Sequence, residues 1–413
     1  MRRSDRCGIS LAVVLLVLLL MSVIGLGVAA LGMQNLNHAA SYRDSTGALH
    51  AAEAGVAAAL LELKTDRAWS SGVPWTAMPG GQTSYSIEVT NNMAGTDSLT
   101  AADGTVIPPS CAWLVSTGLA RQGGIRRGVG VMVKNVTGPF EQAIFASEGV
   151  SLGGGGQVDS FDSSAGSYEA TASDSGADVV TNGTSAGVVT ITGASTQVAG
   201  SITVGAGWDP ATAISADENA YQGAESLEEP LPAPAVAIPA GSSLGSLSIK
   251  SPVILAPGTY DDIDVSSGAP LTLSSGVYSF RTLQLRGNAS LLVDSTAGPV
   301  RVYIRGDGIE SRLDLDLSGG ALIQPGGDPT RLVFLLGPQA TSAALTGGSE
   351  AWYGVYAPNA SVTLTGGSSM YGAVSARSVE LTGGSGLHYD VALRGADIDV
   401  GITYLDVVGW RRL

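Results

Sequence analysis

The chain has 413 residues, 44% of them hydrophobic and only 14% charged, with 57 glycines and a formal net charge of −15. A chain this acidic offers no general field to hold a polyanion, which removes nucleic acid from the expected partners. Its apolar content argues against wholesale disorder. Cys7 and Cys111 lie on opposite sides of a long apolar segment, so neither a disulfide framework nor a cysteine metal site is indicated.

The chain opens with a short basic stretch, residues 1–8, carrying Arg2, Arg3 and Arg6. Ile9 to Met33 then runs without a charge, long enough to cross the ~30 Å hydrocarbon core with some tilt. The next cation is Arg43, so the positive-inside bias puts the N-terminus in the cytoplasm and the remainder outside the inner membrane. Helical character continues past the apolar run. Residues 34–66 contain no proline, and Leu49, Ala52, Val56, Leu60 and Leu63 recur at three- and four-residue intervals as one apolar stripe. Trp69, Gly72 and Pro74 mark its end. The spacing predicts one transmembrane and stalk helix over 9–66. Gly25, Gly27 and Gly32 suit close helix packing, or simply the composition of membrane helices.

These residues carry a resemblance. RCGISLAVVLLVLLL, followed by ALHAAEAGVAAAL, is similar to the N-terminus of PilX-type type IV pilus assembly proteins, a minor-pilin family. The similarity covers roughly residues 6–65, and Ala51, Ala52, Glu53, Ala54 and Gly55 are its most specific piece. The resemblance implies a prepilin leader over 1–8, cleavage between Gly8 and Ile9 by a prepilin peptidase, and N-methylation of the new terminus. It implies other pilins or pseudopilins and inner-membrane lipid as partners of the helix. Major pilins carry a glutamate at the fifth mature position, where this chain has Val13. That departure argues against a major pilin and leaves the minor-pilin family standing.

Residues 67–139 hold three alternating segments, Tyr85-Ile87-Val89, Trp113-Val115 and Val129-Val131-Val133, and predict a small antiparallel sheet. Arg121, Arg126 and Arg127 read as a solvated hairpin end. From about Phe140 the composition shifts to Gly, Ser, Thr and Asp with near-repeats. Leu255-x-x-Gly258-x-Tyr260 returns 18 residues later as Leu273-x-x-Gly276-x-Tyr278, and Tyr353-Gly354 returns as Tyr371-Gly372. LTGGS begins at Leu345, Leu364 and Leu381. Such a period, with strands of three to five residues and glycine corners, predicts a parallel β-helix in blocks 140–208 and 243–413. An acidic, then proline-rich stretch at 209–242 interrupts them as a linker or surface excursion. The tail from Ile402 reads as a strand or short helix capping the open end. Residues 143–163 and 352–390 also resemble an uncharacterised bacterial β-helix domain found behind PilX-like N-termini and related to bactofilin-like repeats.

Chemistry-bearing groups are sparse. His388-Tyr389-Asp390 contains the sole histidine of the body, with no serine in a nucleophile-elbow setting. Asp314 and Asp316 with Arg312, then Asp261, Asp262 and Asp264, and finally Asp159 with Asp162, are the carboxylates a β-helix enzyme would need. Each reads more simply as a solvated edge or corner. The sequence therefore predicts a non-enzymatic, pilin-like envelope component with no catalytic residues, cofactor or metal, whose surface ligand is unknown. The alternatives are an uncleaved membrane-anchored scaffold or adhesin, and a membrane-tethered β-helix enzyme acting on carbohydrate.

Overall fold

The computed structural model describes residues 6–120, 124–217, 219–309, 311–324, 327–345, 347–367, 369–395, 398 and 403–413. Of the features singled out above, Arg2, Arg3 and Arg121 lie outside these residues. For Arg6, Cys7, Gly8 and Ile9 only the helical backbone is described. The chain divides into two compact units, one of residues 1–136 with 405–413, the other of residues 137–404.

In the first unit a single helix, α1 (Arg6–Thr65), precedes an antiparallel sheet. At 60 residues α1 is about 90 Å long. The sheet runs, in spatial order, Val73–Ala77, Thr83–Asn92, Cys111–Ala120, Arg126–Thr137 and Thr403–Arg412. The three predicted alternating segments are all strands of it. One face is turned over from a simple reading of Trp113-Val115. Ala112 and Leu114 face the helix, while Trp113 joins Ala101, Ile107 and Cys111 in a cluster of its own. The tail forms a strand, but as the fifth member of this sheet rather than as a cap on the solenoid.

The second unit is a parallel solenoid of three faces, and its interior columns follow the register strand by strand. On one face Ile263, Leu283, Leu315, Ala343, Val362 and Val379 stack in turn. Each of the six is 2% exposed or less. The predicted repeats fall into this lattice. Leu255 stacks on Leu273, and the tyrosine of each L-x-x-G-x-Y copy donates its hydroxyl four residues back, Tyr260 to the Ala256 carbonyl and Tyr278 to that of Ser274. The apparent Tyr-Gly repeat is out of register by one. Trp352 lies over Tyr371, and Tyr353 over Gly372. A one-residue offset exchanges the two faces of a strand, so Tyr353 points inward at 0% exposure whereas Tyr371 faces out. Gly372, at φ 150°, is required there because a Cβ would overlap the Tyr353 carbonyl.

Coil order in space is not chain order. The strand Ile144–Leu152 pairs with Ser369–Leu381, and Gln157–Phe161 pairs with Gly386–Asp390. The first block is thus built onto the last coil of the second. The stretch 209–242 is correspondingly part coil and part strut. Gly223–Ser226 pairs with Ser201–Val204, and Pro210–Ala213 is a single helical turn capped by Asp209. Beyond them the proline-rich segment returns along one face. Leu231 exchanges two hydrogen bonds with the Asn182 side chain, Pro234 accepts from Tyr356, and Ile238 lies against Gly337. From Leu231 to Gly241 a polyproline-type segment reaches about 31 Å, and the seven coil spacings it passes come to about 34 Å. Length and composition both fit a strut carrying the chain from one end of the solenoid to the other.

Candidate functional site

The long helix has two halves with opposite surroundings. From Val13 to Arg43 every side chain is exposed, Leu16 at 65% and Met21 at 67%. In water that surface would be a large uncompensated apolar face; in a bilayer it is a span. Burial begins at Asp44 and centres on Ala48, Ala51, Ala52, Val56, Ala59 and Leu63. The predicted stripe is shifted by this finding. Ala52, Val56 and Leu63 are buried, but Leu49 and Leu60 only flank the contact, and small residues fill its middle.

The strand opposite explains why. A Cβ on Gly118 would lie 2.7 Å from the Ala52 amide nitrogen and closer still to the Ala48 carbonyl oxygen. A Cβ on Gly55 would overlap the Ser116 hydroxyl and reach 3.0 Å from the Tyr85 ring. Helix backbone and strand backbone touch, which only glycine and alanine permit. In Ala51–Gly55 the alanines at 51 and 52 and Gly55 face the strand. Glu53 turns outward to His50, 3.1 Å away, and Ala54 stays half-buried. Residues 51–55 are thus part of the docking surface of the stalk. The helix ends as Arg67 donates to the Leu63 carbonyl, and Gly72 reverses the chain at φ 66°. Arg126 lies over the Trp75 ring and Arg127 donates to Ser45, so neither arginine is simply solvated.

The carboxylates singled out in the body go separate ways. Arg312 does not serve Asp314 or Asp316; it pairs with Asp262 at 3.3 Å and Asp307 at 3.1 Å. Asp262 also meets Arg281 and Thr282, and these donors hold its carboxyl down at about 2. Asp261 pairs with Arg305 and Asp264 with Arg286. Each of the three is a partner in an ion-pair network between adjacent coils. Asp316 caps its own turn through Ser318, and Asp162 does the same through Ser164.

Asp314 is wholly buried. Its Oδ2 accepts from the Thr341 amide, its Oδ1 has no partner, and burial raises its carboxyl above the ordinary range. A raised acid binds its proton more tightly in the native state. Stability therefore falls as pH climbs from the unfolded carboxylate value through the folded one, and the full penalty remains above both. Asp314→Asn is expected to be about 1 kcal/mol more stable than the parent at pH 7, with the gain vanishing in acid; urea titration at several pH values checks it.

His388-Tyr389-Asp390 is a clasp. His388 Nδ1 lies 2.6 Å from Asp159 Oδ1, the Tyr389 hydroxyl donates to the Phe140 carbonyl at 2.7 Å, and Asp390 accepts from the Ser163 amide and hydroxyl. All three consecutive side chains reach from the last coil of the second block to the start of the first. Tyr168, on the helical turn Tyr168–Thr171, donates to Asp159 Oδ2 at 2.7 Å, and its ring covers Tyr371 and His388. Among the described residues no three His, Cys, Asp or Glu side chains converge as metal ligands.

Residues 246–396, the second block, match a family described as a domain of unknown function (DUF7305). No curated protein matches the chain. Among solved structures it is similar to the competence-associated pilin ComZ from Thermus thermophilus. That match has 11% identity and a TM-score of 0.30, covering 90% of this chain and 97% of the other. It is also similar to a glycosylated ice-binding protein from an Arctic yeast, at 18% identity and TM-score 0.27, over 60% and 90% of the two chains. A third similarity is to the DUF3494 domain of ice-binding protein 1 from Shewanella frigidimarina. There the identity is 11% and the TM-score 0.28, covering 62% and 99%.

Proposed function

We propose that this protein is a minor pilin-like component of a type IV pilus or related secretion apparatus, anchored in the bacterial inner membrane by α1 and displaying an exported β-helix. One observation carries the reading. A single unbroken helix is bare and apolar over its first half and docked by small residues onto an antiparallel sheet over its second. A bare helix of this kind anchors the chain and can pack against other pilin helices, while the docked half ties the stalk to its own antiparallel sheet. In this reading the N-terminus is cytoplasmic, a prepilin peptidase cuts between Gly8 and Ile9, and the chain is itself a substrate rather than an enzyme. Val13, at the fifth mature position, leaves the subunit without the carboxylate that registers major pilins, which suits a minor or tip position.

The test is the mature N-terminus and the location of the chain. Intact mass and N-terminal sequencing of protein from membranes and from sheared surface material should give a methylated chain beginning at Ile9, present in both. A chain that keeps residues 1–8 and stays in the membrane fraction would sink the pilin pathway and leave a permanently anchored scaffold or adhesin.

A further inference from the structure

Beside the seam, on the coils of the first block, lies a cleft of about 310 Å3, a volume at the lower end for small-ligand sites. Its floor is Val158 and Val198, both buried. Gln157 and Gln197, in register on successive coils, stand on one side about 4.8 Å apart. Residues 219–221 form the next rung, with the Val198 amide bonded to the Ala220 carbonyl, so Asn219 continues the row of amides and Tyr221 stands two residues along it. Asp174 closes one end, its carbonyl held by the Gln222 side chain. Asp159 reaches in from the ladder with both oxygens fixed, one by His388 and one by Tyr168.

The chemistry of this lining is narrow. Among the described residues the side-chain amides of Gln157, Gln197 and Asn219 have no hydrogen-bond partner, so each offers a donor and an acceptor side by side. Asp159 adds a fixed carboxylate and Asp174 a second one, and among the described lining residues there is no lysine or arginine. An anionic ligand would meet repulsion without compensation, and an apolar one would leave the amides and carboxylates desolvated. A group that donates and accepts from neighbouring atoms, uncharged and edged with hydroxyls, satisfies all of them, with the half-buried Tyr221 ring as an apolar wall.

We infer that this cleft binds a neutral saccharide, one or two units of a hydroxyl-rich glycan. The inference does not rest on the pilin reading, since an anchored scaffold would present the same cleft. Binding is weak and turns on the paired amides; each neutral hydrogen bond contributes modestly, so losing two weakens it about tenfold.

The test uses the full chain in a polyoxyethylene detergent, which has no sugar headgroup, on an array of neutral hexose and N-acetylhexosamine oligosaccharides beside uronate and sulfated ones. Retention of neutral glycans is expected. Titration with the best neutral oligosaccharide should show about tenfold weaker binding for Gln157→Ala/Gln197→Ala. A separate loss is expected for Asn219→Ala on the next rung, and none for Thr272→Ala several coils away. Gln157, Gln197 and Asn219 are exposed and Thr272 is half-buried, so the variants should keep the parent circular dichroism. Silence on every neutral glycan, preference for the anionic ones, or unchanged affinity in both the double variant and Asn219→Ala would each overturn the inference.

Discussion

Gly118→Val should detach the stalk half of α1 from its sheet. The valine would have to occupy the space of the Ala48 carbonyl and the Ala52 amide, both helix backbone that cannot rotate away as a side chain can. Overpacking of this kind costs about 1–3 kcal/mol where neighbours can adjust, and here the whole helix must lift. Lifting it would also uncover Val56, Ala59 and Leu63 together with Leu114, Val129 and Val131 beneath them. Hydrogen exchange on the full chain in micelles should show protection falling over 48–63 and over the strand Cys111–Ala120. Gly55→Leu should do the same from the helix side, while Gly25→Leu, with open space around it, should change neither. Equal protection in all three variants would mean that the small-residue contact is not what holds the stalk.

Tyr389→Ala is expected to open the solenoid at one place. Tyr389 is fully buried, its hydroxyl donates to Phe140, and Arg394 donates to that hydroxyl while also bonding the Gly176 carbonyl. Removing a buried aromatic side chain costs about 3–5 kcal/mol, and the Phe140 carbonyl and Arg394 each lose a partner here as well. The cost should be local, because each coil of a solenoid meets only its neighbours. Amides of 144–152 and 157–161 should exchange faster, while those around Leu271, Leu283 and Leu291 keep their parent rates. Uniform loss along the unit would show that the coils unfold as one body and that the seam is no weaker than the rest.

Much of this architecture is written locally. An uncharged run of 25 residues followed by a proline-free amphipathic stretch admits few structures other than one long helix, and offsets of 17 to 19 residues announce stacked coils. The ion pairs were within reach of the same reasoning. Arg281 lies one period after Asp262, so adding the repeat length places them side by side. Other features depend on pairings that no local pattern reports. A repeat says that coils stack, not which end receives which block, and Val374 meets Ile144 from 230 residues away. The partner of His388 is as distant, so His388-Tyr389-Asp390 resembles an acid–base cluster until Asp159, Phe140 and Ser163 are seen beside it. The stripe on α1 was legible as a helix face, but its small-residue centre follows from Gly118, which sits on a strand the helix sequence does not mention.

The placement of the first block on the last coil sets a sequence of events for a chain synthesised from its N-terminus. Residues 140–226 emerge early yet find their template only when residues 369–390 have followed. Until then the coils of the first block pair only with one another and keep one open edge, along Ile144–Leu152 and Gln157–Phe161, while the second block builds toward it coil by coil from residue 247. A chain cut short before the clasp would carry two raw β edges, a species open to proteases and to pairing with its neighbours. Completion of the C-terminal coil thus works as a proof of length, and only chains that reach it join the two blocks and cover both edges.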